Sequence, residues 1–129
     1  MSNEIPADLR YTKEHEWARV EGDTIVIGIT AHAVEQLGDI TLVTLPEPGT
    51  QLSTGESFGD IDSVKAVSEI YAPLDGEIVE RNDGLEEAPE KVNESPYAEG
   101  WLVKIKAKNA ADLDQLMDAD AYGKYLADL

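Results

Sequence analysis

The sequence predicts a mainly β fold, a barrel-like sandwich of short strands followed by a helical C-terminal appendage. Two observations support this fold class. Short runs rich in Val, Ile and Thr recur before residue 108 and are separated by Gly, Pro and Asp turn residues, which is typical of sandwiches and barrels. The remaining residues instead place apolar side chains at helical spacing. We expect one domain over residues 1–129, with a β core at about 10–107 and the appendage at about 109–127.

Each predicted strand is a run of apolar or β-branched residues bounded by turn chemistry. The first two runs flank Glu21-Gly22-Asp23 and so predict a hairpin. The third ends at Pro46-Glu47-Pro48-Gly49, and the sixth begins after Pro73-Leu74-Asp75-Gly76. The predicted strands are His15–Val20, Thr24–Ile29, Asp39–Leu45, Glu56–Val64, Val67–Tyr71, Glu77–Arg81 and Trp101–Ala107.

Short helices are predicted where a capping residue precedes an apolar pattern. Thr30 is a suitable N-cap for a helix over 31–37, and Gly38 is suited to end it. Within the long segment 82–100, which contains two prolines, we expect a loop with at most one helical turn. In the tail, Asn109 caps a helix through Leu116, and Asp118 or Asp120 begins another through Leu126.

Composition excludes several classes of function. The 27 acids and 10 bases give a formal net charge of −17, so nucleic acid and anionic membranes are not expected as partners. Basic surfaces of other proteins are the partners that such a charge favours. The chain has no cysteine, and its two histidines stand in unrelated contexts, so no metal site is predicted.

The segment Met1–Leu9 has neither a basic region nor an apolar run. It therefore predicts neither a signal peptide nor a transit peptide, and no stretch reaches the length of a membrane span. We expect a cytoplasmic monomer.

Lys65 is the candidate functional residue. It stands alone between two strand-like runs, with small or apolar neighbours, whereas the acids Asp60, Asp62 and Glu69 lie further out. A solvated surface lysine is the ordinary explanation of such a residue. A lysine at a hairpin tip within an acidic frame is instead typical of a lysine that another enzyme modifies. We therefore interpret the chain as a carrier of a covalent cofactor.

The surroundings of Lys65 resemble the biotinyl/lipoyl-carrier superfamily, and the whole chain resembles one family within it, the glycine cleavage system H proteins. The resemblance runs in order from about Leu9 to Leu126. Its landmarks are Tyr11-Thr12-x-x-His15-Glu16-Trp17, Gly28-Ile29-Thr30, Leu37-Gly38-Asp39, Leu45-Pro46-x-x-Gly49, Ser63-Val64-Lys65-Ala66, Pro73-Leu74-x-Gly76-Glu77 and Ser95-Pro96-Tyr97-x-x-Gly100-Trp101.

Two related groups of carriers match less well. Biotin carriers usually have methionine on both sides of the lysine, where this chain has Val64 and Ala66. Acyltransferase lipoyl domains usually have Asp before the lysine, and they lack the His-Glu-Trp motif and the helical tail. The resemblance therefore favours lipoate on Lys65 and implies a flattened barrel-sandwich hybrid fold.

The resemblance also implies a non-catalytic carrier of the glycine cleavage system. Lipoate in amide linkage on Lys65 would receive the aminomethyl group of glycine from a pyridoxal-phosphate decarboxylase. An aminomethyltransferase would pass the carbon to tetrahydrofolate, and dihydrolipoamide dehydrogenase would reoxidise the arm. Glycine decarboxylase, aminomethyltransferase, dihydrolipoamide dehydrogenase and the lipoylating enzymes are thus the implied partners, while the cofactor supplies the chemistry.

Carboxylates near the arm have an expected role. The loaded arm would end in a cationic amine, which a cleft lined with carboxylates and shielded from water would hold. Glu16 and Glu69 are the candidates, and Glu14 and His32 are weaker ones. For Glu16 and Glu69, a position on a solvated strand face explains the carboxylates about as well as a role in holding the loaded arm. For His15 and His32, a structural hydrogen bond is the favoured interpretation.

Two alternatives to the carrier stay open. The chain would be an unlipoylated acidic binding or regulatory module, or a protein of the same fold that passes lipoyl groups to other proteins. An enzyme in its own right is disfavoured, because the sequence contains neither a nucleophile–base pair nor a nucleotide motif.

Overall fold

The computed structural model describes residues 5–128, so Met1–Glu4, within the segment where no signal peptide is expected, lie outside the described residues, as does Leu129. Within this range the chain forms nine strands, four α-helices and one 3-10 helix. The strands are β1 Arg10–Tyr11, β2 Glu16–Glu21, β3 Thr24–Ile29, β4 Ile40–Thr44, β5 Gln51–Leu52, β6 Ser57–Ser63, β7 Val67–Tyr71, β8 Gly76–Arg81 and β9 Val103–Ala107. The helices are α1 Ala31–Leu37, α2 Gly84–Glu87, α3 Glu90–Glu94, a 3-10 helix Ala110–Gln115 and α4 Ala119–Ala127.

Two antiparallel sheets form the body of the protein. The larger has the order β1-β2-β3-β9-β8-β5, and the smaller has the order β4-β6-β7. Over the described residues the sheets are separate and do not close into a barrel. The predicted mainly β fold with short helices and a helical tail is confirmed, and all seven predicted strands are present within a few residues of their expected bounds.

Three clusters of buried apolar side chains make up the core. One lies between the small sheet and the short helices and includes Ile61, Ile70 and Val92. A second lies on the large sheet around Ile27 and Ile105. The third joins the two ends of the described chain, and its members are Leu9, Tyr11, Trp17, Val26 and Tyr122.

Trp17 shows how closely the third cluster is packed. It is fully buried opposite Gly28 in the β2–β3 pair, and its indole Nε1 donates to Pro96 O at 3.0 Å. A Cβ on Gly28 would lie 2.5 Å from Trp17 Cζ2, which is too close for any side chain. The glycine is therefore required by the tryptophan across from it.

Strand β2 differs from the alternating pattern that its sequence predicts. Glu16, Trp17 and Ala18 are all buried in succession, and Glu21 is exposed. Alternation assumes that one face of a strand meets water. The first half of β2 is instead covered on both faces, because the chain ends pack over the large sheet.

The segment 82–100 contains two short helices, α2 and α3, where the sequence predicts at most one helical turn. Leu85 and Val92 are fully buried and anchor these helices beside β4. Strands β1 and β5 were not predicted, because two residues are too few to show a period. None of the helices between Ile5 and Asp128 is long and apolar enough to span a membrane.

Candidate functional site

Lys65 lies in the tight turn that joins β6 to β7. Ser63 N donates to Ala66 O at 2.8 Å, which closes a four-residue turn over Ser63–Ala66. The Ser63 hydroxyl accepts from Lys65 N at 3.3 Å and from Ala66 N at 3.1 Å. Serine favours such local bonds to the backbone, and here it fixes the turn that presents the lysine.

The turn is attached to the segment between α1 and β4. Val64 N donates to Asp39 O at 3.0 Å, and the Lys65 Cε lies 3.5 Å from where a Cβ on Gly38 would stand. Asn93 of α3 fixes the segment between α1 and β4 by two hydrogen bonds. Its Oδ1 accepts from Ile40 N at 2.9 Å, and its Nδ2 donates to Gly38 O at 2.8 Å. The lysine therefore extends from a fixed support.

Lys65 itself is exposed, and none of the ion pairs among residues 5–128 includes it. Asp62 stands opposite Val67 in the β6–β7 pair, and Asp60 stands opposite Glu69. The acidic frame that the sequence predicts is therefore present on the hairpin, next to an accessible amine. These features fit a lysine that receives an acyl group, since the amine is exposed and its backbone is held.

Glu16 is buried, with 2% of the residue exposed, so the solvated strand face considered for it is wrong. Thr12 Oγ1 donates to Glu16 Oε1 at 2.7 Å and accepts from Glu16 N at 3.1 Å. Tyr71 N donates to Glu16 Oε2 at 3.2 Å. The carboxylate thus joins β2 of the large sheet to β7 of the small one.

Burial raises the pKa of Glu16 to about 7 from its usual value near 4.5, and the charge of Glu14 adds to the rise. The hydrogen bonds from Thr12 and Tyr71 lower the pKa but do not offset the loss of water. Glu16 is therefore a carboxylate that changes charge near neutral pH.

Tyr71 links the predicted carboxylates. Its hydroxyl donates to Glu69 Oε2 at 3.3 Å, and its backbone N–H donates to Glu16. The negative charges of Glu69, Glu14 and Glu16 all raise the pKa of the Tyr71 hydroxyl, with Glu69 the largest cause. The structure therefore gathers the three carboxylates around one tyrosine, and Glu69 and Glu14 are exposed there.

A cleft of about 260 Å³ opens beside Glu14. Its walls come from the segment before β2, the turn after β5, the residues that follow β7 and the end of the 3-10 helix with the residues after it. The lining residues are Tyr11, Thr12, Lys13, Glu14, Thr54, Gly55, Ala72, Pro73, Gln115, Leu116 and Met117. Thr12 belongs both to this cleft and to the hydrogen bonds of Glu16, so the cleft borders the carboxylate group.

His32 lies apart from these carboxylates. Its ring is 4.5 Å from that of His15, in a groove formed with Ile5 and α4. His15 Nδ1 is 2.8 Å from the Tyr122 hydroxyl, and burial together with His32 lowers the pKa of His15. His15 makes the structural hydrogen bond expected of it. Across the described residues, no three His, Cys, Asp or Glu side chains come together as a metal site would require.

Sequence reasoning missed three residues of the site: Thr12, Tyr71 and Asn93. Thr12 stands four residues before Glu16, and Tyr71 stands two after Glu69 on the same strand face. Both spacings can be read from the sequence and could have pointed to these two residues. Asn93 gave no comparable signal, because its two partners lie more than 50 residues earlier in the chain.

Known proteins match the chain over nearly its whole length. The family model described as "Glycine cleavage H-protein" matches residues 9–129. A glycine cleavage system H protein from Anaeromyxobacter sp. (strain K) is 54% identical over 123 residues, covering 95% of this chain and 96% of the relative. One from Bacteroides fragilis is 55% identical over 118 residues, covering 92% and 94%.

A solved structure agrees with these relatives. The crystal structure of a glycine cleavage system H protein from Mycobacterium marinum superposes with a TM-score of 0.88 at 38% identity, covering 95% of this chain and 99% of that one. Fold, landmark residues and relatives thus lead to one conclusion, that the chain belongs to the glycine cleavage H-protein family.

Proposed function

We propose that the chain is a lipoylated carrier of the glycine cleavage system, with lipoate joined in amide linkage to Lys65. Membership of the H-protein family supports a carrier that has no turnover of its own. The observation that carries the assignment to Lys65 is its position: its amine is exposed and forms no ion pair within residues 5–128, and the backbone of its turn is fixed by Ser63 and Asp39. The partners that we propose are glycine decarboxylase, aminomethyltransferase and dihydrolipoamide dehydrogenase, met by a cytoplasmic monomer.

In this proposal the residues of the chain position the lipoyl arm and the carboxylates near it. When attached, lipoate supplies a disulfide that takes up the aminomethyl group of glycine together with two electrons. The Ser63–Ala66 turn sets the point from which the arm extends, and acylation removes the charge of Lys65. Tyr71 holds Glu69 in place by its hydroxyl and Glu16 by its backbone N–H.

We further propose that Glu16 and Glu69, with Glu14 beside them, hold a cationic amine cargo. A buried carboxylate whose charged form is destabilised by burial gains most from a cation placed next to it. Glu16 meets this condition, and Glu69 stays in water at the outer side of Tyr71. His32, which lies by α4, is left out of this role.

Peptide masses test the attachment site. The native protein from lipoate-replete cells is expected to carry a lipoyl or octanoyl adduct on the peptide that contains Lys65. Lys65→Arg should remove the adduct and abolish glycine cleavage, while Lys106→Arg, an exposed lysine of β9, should change neither. An unmodified native protein would support the acidic binding module. A chain that gives its adduct to other proteins, and is dispensable for glycine cleavage, would support the relay.

The lifetime of the loaded protein tests Glu69. We expect Glu69→Gln to speed the loss of ammonia from the loaded carrier several-fold, because one of the carboxylates facing the amine is neutralised. Glu77→Gln, an exposed glutamate on a strand of the other sheet, is the matched control. Equal lifetimes for the two variants would show that Glu69 does not hold the amine cargo.

A further inference from the structure

The hairpin between β1 and β2 contains an unusual backbone conformation. Thr12 N donates to Glu16 O at 3.0 Å, and His15 N donates to Thr12 O at 3.1 Å, so the two strands are joined by three residues. We call residues 12–16 the β1–β2 loop. Among the described non-glycine residues, His15 alone has a positive φ, 72°. A three-residue hairpin loop commonly ends in such a left-handed residue, and glycine adopts this conformation most easily. The loop geometry therefore explains the backbone of His15 but not the choice of a histidine.

The side chain of His15 attaches the β1–β2 loop to α4. His15 Nδ1 lies 2.8 Å from the Tyr122 hydroxyl, and the same hydroxyl lies 2.8 Å from Thr30 Oγ1, so it can donate to one and accept from the other. Tyr125, three residues further along α4, donates from its hydroxyl to Lys13 O at 3.3 Å. Two tyrosine hydroxyls of α4 thus hold the loop, one by a side chain and one by the backbone.

Helix α4 is itself fixed to the body of the protein. Tyr122 is fully buried, and its ring stacks on that of Tyr11 at a centroid distance of 4.6 Å and an interplanar angle of 5°. Asp118 caps the helix, because its Oδ1 accepts from Ala121 N at 2.8 Å. The helix is therefore a firm support for the loop that it contacts.

The β1–β2 loop carries two of the three carboxylates of the proposed cargo site. Glu14 is exposed on the loop and lines the cleft, whereas Glu16 at the base of the loop is buried and bonded to Thr12 and to Tyr71 N. The third carboxylate, Glu69, belongs to the other sheet. The path of the loop therefore decides how the carboxylates from the two sheets are arranged around one amine.

We propose that His15 is a positioning residue of the cargo site: by its bond to Tyr122, α4 holds Glu14 and Glu16 in the arrangement that retains the cationic amine. This inference rests on the proposed function and deepens it, because it gives α4 a part in cargo retention. His15 acts through the loop and needs no contact with the amine. The proposal also accounts for the histidine, since a left-handed backbone is strained in most residues and persists where the surroundings fix it.

Two variants break the link between the β1–β2 loop and α4. Tyr122→Phe removes the hydroxyl and keeps the ring that stacks on Tyr11. His15→Gly removes the imidazole and keeps a residue suited to a φ of 72°. Tyr97→Phe is the matched control, because it also removes one bonded tyrosine hydroxyl, which accepts from Ala31 N at 2.9 Å at the start of α1. Circular dichroism and thermal melting check that all three variants fold.

The titration of Glu16 reports the position of the loop without any cargo. Burial raises the pKa of this carboxyl to about 7. We expect Tyr122→Phe and His15→Gly to lower the pKa toward its usual value near 4.5, because water reaches the carboxylate once the loop is released. Tyr97→Phe should leave the pKa of Glu16 as it is. Carbon-13 NMR of the side-chain carboxyl in the unlipoylated protein measures this pKa.

The lifetime of the loaded carrier reports the effect on cargo. We expect Tyr122→Phe and His15→Gly each to speed the loss of ammonia several-fold, and Tyr97→Phe to change it less than twofold. The double variant of His15 and Tyr122 should lose ammonia no faster than either single variant, since both remove the same link.

Two results would overturn the proposal. One is a pKa of Glu16 that stays unchanged in both variants, because the link would then not position the loop. The other is a lowered pKa with a normal lifetime of the loaded carrier. In that second case Glu69→Gln separates the two inferences. A shortened lifetime in Glu69→Gln would refute only the role of His15, whereas a normal lifetime there would refute the cargo site itself.

Discussion

At the scale of single residues, Glu16 is a buried carboxylate of the candidate site, and its burial has a cost in stability. Its carboxylate is buried and bonded to Thr12 and to the backbone of Tyr71. When Glu16 is protonated, its own O–H donates to Thr12 Oγ1, and the other oxygen still accepts from Tyr71 N. Both charge states therefore keep their hydrogen bonds, and the charged state bears the cost of burial.

This residue predicts a pH dependence of folding. Its pKa is about 7 in the folded chain and near 4.5 when unfolded, so between these values the folded state holds an extra proton. Stability contributed by Glu16 is thus present below pH 4.5 and is lost as pH rises toward 7, about 3 kcal/mol over the whole window. Glu16→Gln, which imitates the protonated state, should remove this part of the slope. Urea unfolding of the wild-type protein and of Glu16→Gln at pH 5 and pH 8 measures this slope. A difference in unfolding free energy between the two proteins that is the same at both pH values would contradict the prediction.

The conformation of a single residue could be predicted from the sequence where its near neighbours in the chain determine it. Lys65 is placed by Ser63, Val64 and Ala66, all within two residues of it, so its turn could be predicted. The burial of Glu16 could not, because it depends on a strand 55 residues away and on the chain ends.

At the scale of elements, α1 and the segment after it support the turn of Lys65. Thr30 caps the helix as predicted, since its hydroxyl accepts from Ala33 N. Gly38 ends it with φ 80° and ψ −148°, a backbone conformation almost restricted to glycine. Cap and stop signals are local, which is why the sequence predicts this helix well and misses α2 and α3, whose anchors are tertiary.

The end of α1 gives a prediction about stability. Gly38→Ala should cost about 2–3 kcal/mol, because the substituted residue is strained in this conformation. The new Cβ would meet Lys65 Cε at an ordinary 3.5 Å, so crowding adds nothing. Gly22→Ala, at φ 61° with no atom within 4 Å, should cost only about 1 kcal/mol. Equal losses in chemical denaturation would show that backbone conformation is not what requires glycine at residue 38.

At the scale of the whole molecule, charge governs encounters. The chain carries a formal charge of −17, and this was available from composition alone. The distribution of this charge over the fold could not be predicted from composition, because the strand registers decide which acids share a face.

The charge predicts salt-dependent kinetics with partners. Screening becomes strong once the Debye length falls to about 8–10 Å, near 0.1–0.15 M salt. If the proposed function holds, the rate at which dihydrolipoamide dehydrogenase, a proposed partner, reoxidises the reduced, lipoylated chain should fall several-fold between low and physiological salt, through kcat/KM. Free dihydrolipoamide, which is uncharged, is the control and should show little change. A protein rate as flat as that of the free compound would exclude electrostatic steering.

The ends of the described chain meet in space. Tyr11 N donates to Met117 O at 2.8 Å, Met117 N donates to Tyr11 O at 3.0 Å, and the Tyr11 ring stacks on that of Tyr122 at 4.6 Å. Between Ile5 and Asp128 the chain therefore almost closes on itself, since its first and last described segments are in contact. A circular permutant in which a short linker joins Ile5 to Asp128, with new ends opened at the Glu21–Thr24 turn, should fold around the same Lys65 turn.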